Sequence, residues 1–196
     1  MSKAIGDQLN FTEEKKIGLN SSFDSEASFS STEELEMESE NEEIENLQRI
    51  ATSISFFLSE LINENLKNNE INNSESDIFT IKSLPKLSIS DYLNRIILYS
   101  NIEENTLISA LIYIHIISKI KPITKYNIHK ILFTSILISL KFNEDGIYKN
   151  NYYSEIAGVS TEELLILENE FLKLIKYKLF ISEKTFDTYK LALVKI

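Results

Sequence analysis

Leu107-Ile108-Ser109-Ala110-Leu111-Ile112-Tyr113-Ile114-His115-Ile116-Ile117-Ser118-Lys119-Ile120 is the most hydrophobic stretch of the chain. It is shorter than the roughly 20 apolar residues a bilayer span needs, and it is apolar on too many faces for a helix with one side in water. Its reading is a central helix over about Glu103 to Lys119, surrounded by other helices. Lys121-Pro122 ends it, because proline disfavours the helical region for its predecessor. The next segment repeats the pattern: Ile128, Ile131, Leu132, Ser135, Ile138 and Ser139 lead to Phe142, with Thr124 as the expected cap. Two consecutive helices buried nearly all round require a sheath, and the flanking sequence supplies one.

Ser88 or Ser90 caps a preceding helix that runs to about Tyr99, with Tyr92, Leu93, Ile96 and Ile97 on one face and Asn101 after its end. On the other side, Asn143 to Asn150 reads as a loop, and Tyr152 to Ala157 as a short helix closed by Gly158. Ser160-Thr161-Glu162-Glu163 forms an expected capping box, the Ser160 hydroxyl reaching the Glu163 amide and the Glu163 carboxylate reaching back. The helix that follows, to about Lys176, buries Leu164, Leu167, Phe171, Leu174 and Ile175; Ser182 to Leu193 forms a last, shorter one. Upstream, Ile44, Leu47, Ile50, Ala51, Ile54, Phe57, Leu58, Leu61 and Ile62 recur at three- and four-residue steps, an amphipathic stripe. No stretch alternates as a strand does, so the fold class is all-α, a compact bundle.

The formal charge of −10 is unevenly placed. Residues 1–46 hold thirteen acidic and three basic side chains, the whole excess, which leaves 17 of each over residues 47–196. Residues 1–43, rich in Ser, Glu and Asn, hold too few large apolar side chains to offset the entropy of ordering and are expected to be a disordered acidic tail. A neutral body lacks the basic face that phosphate neutralisation requires, so nucleic acid is not an expected partner. With no Cys there is no disulfide or thiolate chemistry. The four glycines, at 6, 18, 146 and 158, form no phosphate-cradling loop. No signal peptide is visible at the start, and neither a membrane nor a small-molecule ligand is an expected partner.

Catalytic candidates are wanting. His115 and His129 sit fourteen positions apart without Cys or an acidic neighbour at metal-ligand spacing, so both read as core or groove residues, and no metal or cofactor is expected. Glu162/Glu163 and Glu168/Glu170 read as solvated helix charges or caps. Two charges stand out: Lys141, which ends the apolar run Ile136-Leu137-Ile138-Ser139-Leu140, and Glu168, embedded in Leu164-Leu165-Ile166-Leu167 and Phe171-Leu172. Charges beside core helices are costly unless paired. The two meet if their helices are neighbours, either as a groove-rim pair facing another molecule or as an ordinary surface salt bridge.

Five segments in order resemble the cyclin box of the P/U-type cyclins. They are Ile89-Ser90-Asp91-Tyr92-Leu93-Asn94-Arg95-Ile96; Ala110-Leu111-Ile112-Tyr113-Ile114; Asn127-Ile128-His129-Lys130-Ile131-Leu132; Lys141-Phe142-Asn143-Glu144-Asp145-Gly146-Ile147-Tyr148-Lys149-Asn150-Asn151-Tyr152-Tyr153; and Glu163-Leu164-Leu165-Ile166-Leu167-Glu168 with Phe171-Leu172. The resemblance implies a cyclin-like domain over 44–193: an N-terminal helix at 44–66, a linker at 67–87 and a single five-helix box at 88–180, with a short C-terminal helix. It implies a regulatory subunit, not an enzyme, that binds and activates a cyclin-dependent-kinase-like Ser/Thr kinase in cell-cycle or nutrient-signalling control, in the cytoplasm or nucleus. Lys141 and Glu168 would bind backbone groups around the kinase's regulatory helix. Ile138, Phe142, Leu172 and Tyr177 would supply apolar contact, and Asp145 would face kinase arginines.

The pattern also has departures. Cyclins usually pair an arginine of the first box helix with an aspartate of the second; Arg95 is present, but His115 stands at the aspartate position and Ile116 where arginine is common. Arg95 is therefore expected to find a different carboxylate, or the first helix to be held by packing. Leu140 replaces a usual alanine beside Lys141. The alternative to a kinase regulator is a helical scaffold with the same fold and a non-kinase partner; a DNA-binding cyclin fold is disfavoured by the neutral body.

Overall fold

The computed structural model describes residues 31–67 and 77–194. Within them the chain forms α1 (Ser31–Lys67), α2 (Ile89–Ser100), α3 (Glu104–Ser118), α4 (Ile128–Asn143), α5 (Asn150–Ala157), α6 (Thr161–Leu174) and α7 (Glu183–Val194), and no strand. Helices α2–α6 make the five-helix box, with α1 packed on α2, α3 and α7 and the α3/α4 pair at the centre. From Thr106 to Ile114 every residue of α3 is buried, and so is every residue of α4 from Ile131 to Leu140. The hydroxyls inside this pair are satisfied: Ser135 Oγ donates to the Ala110 carbonyl at 2.7 Å and Thr134 Oγ1 to the Lys130 carbonyl at 2.7 Å.

The helix ends follow local chemistry. Ser88, not Ser90, caps α2 and accepts from the Asp91 amide at 3.0 Å, and Asn101 ends it in the left-handed region at φ 47°. Gly158 closes α5 at φ 74°, its amide donating to the Ser154 carbonyl at 2.9 Å. Helix α5 starts at Asn150, two residues before the expected Tyr152.

Three expectations need correction. Thr124 does not cap α4. Asn127 Oδ1 accepts from the Thr124 amide at 2.8 Å and its Nδ2 donates to the Pro122 carbonyl at 3.0 Å, which closes residues 124–127 into a turn and delays the helix to Ile128. The capping box at Ser160 is half formed: Ser160 Oγ accepts from the Glu163 amide at 3.1 Å, but the Glu163 carboxylate pairs with Lys130 of α4 at 2.7 Å. A charged partner is the stronger competitor for a carboxylate than a backbone amide. Helix α1 begins at Ser31, well before Ile44, so residues 31–43 are helical. Glutamate is a good helix former, and negative charge near a helix N-terminus is favourable. The remainder of the expected acidic tail, residues 1–30, and linker residues 68–76 lie outside the described residues.

The buried stripe of α1 comprises Leu47, Ile50, Ala51, Ile54, Leu58 and Ile62. Asn46 Nδ2 donates to Glu104 at 2.8 Å, and Asn65 Nδ2 to the Ile123 carbonyl at 2.9 Å, so the packed half of the helix is fixed at both ends. The segment before α2 runs through a turn at 78–79 and bends at 82–83 and 86–87, and it is anchored. Phe79 is buried edge-on to Phe171 (centroids 6.4 Å apart), the Ile81 amide donates to the Tyr126 carbonyl at 2.9 Å, and Asp77 pairs with Lys121.

Candidate functional site

Helices α4, α5 and α6 meet around Lys141 and Glu168. Lys141 occupies the last turn of α4, after the buried run that ends at Leu140, and Glu168 lies on α6 between buried Leu167 and Phe171. Packing of α4 on α6 brings the ammonium within 2.5 Å of Glu168 Oε1. The Lys141 side chain is 29% exposed and that of Glu168 12%, so the pair sits at the rim of the core rather than in open solvent. Asn150, the first residue of α5, joins both: its Oδ1 accepts from Lys141 Nζ at 2.7 Å and its Nδ2 donates to Glu168 Oε2 at 2.8 Å. Each of the three side chains thereby bonds the other two.

The remaining expected site residues divide by exposure. Phe142 is exposed beside Lys141, Leu172 is half-buried one turn beyond Glu168, and Tyr177 is 62% exposed past the end of α6. Ile138 is a correction: it is only 4% exposed and belongs to the core, so the free chain does not present it as contact surface. Asp145 is exposed in the α4–α5 loop, next to Glu144, which accepts from Thr106 Oγ1 at 2.5 Å and from the Glu103 amide at 3.2 Å. Leu165, one turn before Glu168 on α6, and Tyr148, in the loop, add exposed apolar surface that the sequence reading omitted. Periodicity alone marks such positions as solvent-facing rather than as sites.

Tyr177 owes its position to an unusual turn. Lys176 and Tyr177 both lie in the left-handed region, at φ 55° and 57°, a conformation disfavoured for side chains of this size. The Tyr177 amide donates to the Leu172 carbonyl at 2.8 Å, and beyond the turn the buried Tyr113 hydroxyl donates to the Leu179 carbonyl at 2.7 Å. Burial pushes the Tyr113 phenol up to about 12.

Among the described residues Arg95 pairs with no carboxylate, and α2 is held by packing, as the second expectation has it: Tyr92, Leu93, Ile96 and Ile97 are all buried. Arg95 Nη2 donates to the backbone carbonyl of Glu155 at 3.1 Å, and the neighbouring Tyr92 hydroxyl donates to the Ala157 carbonyl at 3.2 Å. Two side chains of α2 thus satisfy carbonyls at the C-terminal end of α5, where the helix dipole is negative. His115 takes no part: it stacks on Phe57 of α1 (6.4 Å) and lies edge-on to Tyr189 of α7 (5.9 Å). His129 Nε2 bonds the Leu87 carbonyl at 3.0 Å, and its ring lies against Tyr92. Burial holds both imidazoles below the ordinary histidine range, with Lys119 adding to the effect at His115.

A cavity of about 630 Å³ lies apart from the rim, between residues 80–87, Tyr92 and Arg95 of α2, His129 and Lys130 of α4, and Ala157 to Val159. Among the described residues no group of His, Asp and Glu is placed to hold a metal, and no helix is long and apolar enough to cross a membrane.

A single five-helix box with one flanking helix at each end, and a lysine and a glutamate meeting at the rim of its third and fifth helices, defines a cyclin-type module. The chain belongs to the cyclin family, whose family model, described as Cyclin, matches residues 16–179. Within that family it is of the P/U type. It is similar to cyclin-U4-3 of Arabidopsis thaliana, 35% identical over 150 residues that cover 74% of this chain and 67% of that protein. It is also similar to cyclin-U4-1 of the same plant, 30% identical over 75% of this chain and 77% of that protein. Cyclin-P3-1 of Oryza sativa subsp. japonica is 33% identical over 66% of this chain and 56% of that protein. Family members are regulatory subunits rather than enzymes.

Proposed function

We propose that this chain binds and activates a cyclin-dependent-kinase-like Ser/Thr kinase in cell-cycle or nutrient-signalling control, in the cytoplasm or nucleus. The observation that carries the reading is the paired Lys141 and Glu168 at the α4/α6 rim, held at 2.5 Å and still partly exposed. An ammonium has three donors and a carboxylate about four acceptor sites. Each therefore keeps capacity beyond its present bonds: Lys141 for a backbone carbonyl and Glu168 for backbone amides of a docking helix. Phe142, next to Lys141, Leu172, one turn beyond Glu168, and the exposed Tyr177 would add apolar surface, and Asp145 offers a carboxylate to kinase arginines. Docking at this rim would hold the kinase's regulatory helix inward and shift the kinase towards its active conformation.

The test is recovery of a kinase on tagged protein. Lys141→Ala or Glu168→Ala is expected to weaken binding by about 2–5 kcal/mol, because each leaves a desolvated charge unpaired. Wild-type protein that recovers a partner other than a kinase, with no loss for either variant, identifies the chain as a scaffold instead.

A further inference from the structure

We propose that Asn150 is a positioning residue that presents Lys141 and Glu168 as a preformed pair; the role rests on the kinase-docking reading above. Asn150 opens α5, but the N-cap is Lys149, which makes no capping bond, and the Asn150 amide turns away from its own helix towards α4 and α6. The orientation of that amide is forced. An ammonium only donates and a carboxylate only accepts, so Oδ1 faces Lys141 and Nδ2 faces Glu168. A terminal amide offers a donor and an acceptor on one planar group. Asp at this position would set a second carboxylate beside Glu168, and Leu would offer neither bond.

The network leaves a defined remainder. Lys141 donates to Glu168 Oε1 and to Asn150 Oδ1, which leaves one ammonium hydrogen; each Glu168 oxygen has one bond of the network and keeps acceptor capacity. That remainder matches one backbone carbonyl and a few backbone amides of an incoming helix. Without Asn150, the flexible stem of Lys141 would lose its rotamer freedom on docking rather than on folding.

Asn150 is itself held from behind. The Tyr148 amide donates to the Tyr153 hydroxyl at 3.2 Å, Tyr148 lies on Tyr152 with centroids 4.5 Å apart, and the Tyr152 hydroxyl donates to the Tyr99 carbonyl at 2.6 Å. The start of α5 is thereby tied to the end of α2, and the amide cannot drift with the loop before it.

The experiment compares Asn150→Leu, Asn150→Asp and the milder Asn150→Ala with wild type in two readouts. The first needs no partner: the NMR signal of the Lys141 side-chain ammonium, assigned with Lys141→Arg. A hydrogen-bonded ammonium exchanges slowly and is visible, and the signal is expected to vanish or shift in Asn150→Leu and Asn150→Ala while melting temperature stays near wild type. The second is affinity for the kinase recovered with the tagged wild-type chain, expected to fall about 3- to 10-fold in the Leu and Ala variants and further in Asn150→Asp. An unchanged ammonium signal, or unchanged affinity in variants of a chain whose binding depends on Lys141, overturns the proposal. If Lys141→Ala and Glu168→Ala leave binding intact, the docking reading falls instead, and the ammonium signal alone decides whether Asn150 fixes the pair.

Discussion

Replacing Tyr113 with Phe separates what the phenol contributes at neutral pH from what it costs in alkali. Tyr113 is fully buried in α3, and its hydroxyl makes one bond, 2.7 Å long, to the Leu179 carbonyl beyond the Lys176–Tyr177 turn. Phe keeps the ring packing and loses that bond. Leu179 is only half-buried, so water can reach its carbonyl in the variant. The loss near neutrality should therefore be about 1 kcal/mol. In alkali the sign reverses. The folded phenol titrates at about 12 and the unfolded one at about 10. Between those values the unfolded chain releases a proton that the folded chain keeps, so stability falls as pH rises, by about 1.4 kcal/mol per unit and about 3 kcal/mol in all. Phe removes this slope. Stabilities from urea unfolding, followed by circular dichroism, should show wild type ahead near pH 8 and the two proteins equal between about pH 10 and 11. The buried Tyr92 phenol, also raised by burial, remains in both proteins and does not disturb the comparison. Curves that run parallel through alkali would show that Tyr113 ionises as freely in the fold as outside it, and the reasoning would fail.

Arg95→Ala removes a charged donor from the Glu155 carbonyl and should lower stability by about 1 kcal/mol in the same assay, with Glu155→Gln close to neutral because only the backbone is used. Gly158→Ala meets no atom within 4 Å but keeps φ 74°, so a loss of about 1 kcal/mol would come from backbone conformation alone. Both imidazoles sit below the ordinary histidine value in the fold. The unfolded chain therefore takes up protons that the folded chain refuses, and stability falls as pH drops through about 6.5. The double replacement His115→Asn, His129→Gln should flatten that decline in denaturant titrations. Deleting residues 1–43 should leave kinase capture unchanged, since residues 41–43 are exposed and the apolar stripe of α1 packed on the box runs from Leu47 to Ile62.

The helical class and most boundaries were legible because they rest on short-range chemistry. Ser88, Asn101, Gly158 and Ser160 act on residues within three or four positions, and periodic apolar residues report burial directly. What the sequence hid depends on a second segment. Glu163 satisfies its local pattern, yet Lys130, thirty-three positions earlier, takes its carboxylate. Thr124 has the chemistry of a cap, but Asn127 has the better geometry for closing the turn. At the site, the Lys141–Glu168 pair was within reach because each charge interrupts an apolar run. Asn150 was not, since an asparagine within Lys149-Asn150-Asn151 looks like ordinary loop chemistry until three helices converge on it. Ile138 has a kinase contact only from the family resemblance, whereas its place in an apolar run already pointed to the burial it has.

The clasp between α2 and α5 bears on how freely this chain can change over time. An arginine–aspartate bridge ties two positions together: losing either side chain strands the other, and the pair must drift in step. Arg95 bonds a peptide carbonyl, which every amino acid at position 155 supplies. Its partner cannot be deleted by substitution or discharged by acid. Position 115 is thereby released to an aromatic contact between α1 and α7, free to vary with those two helices rather than with the first helix of the box.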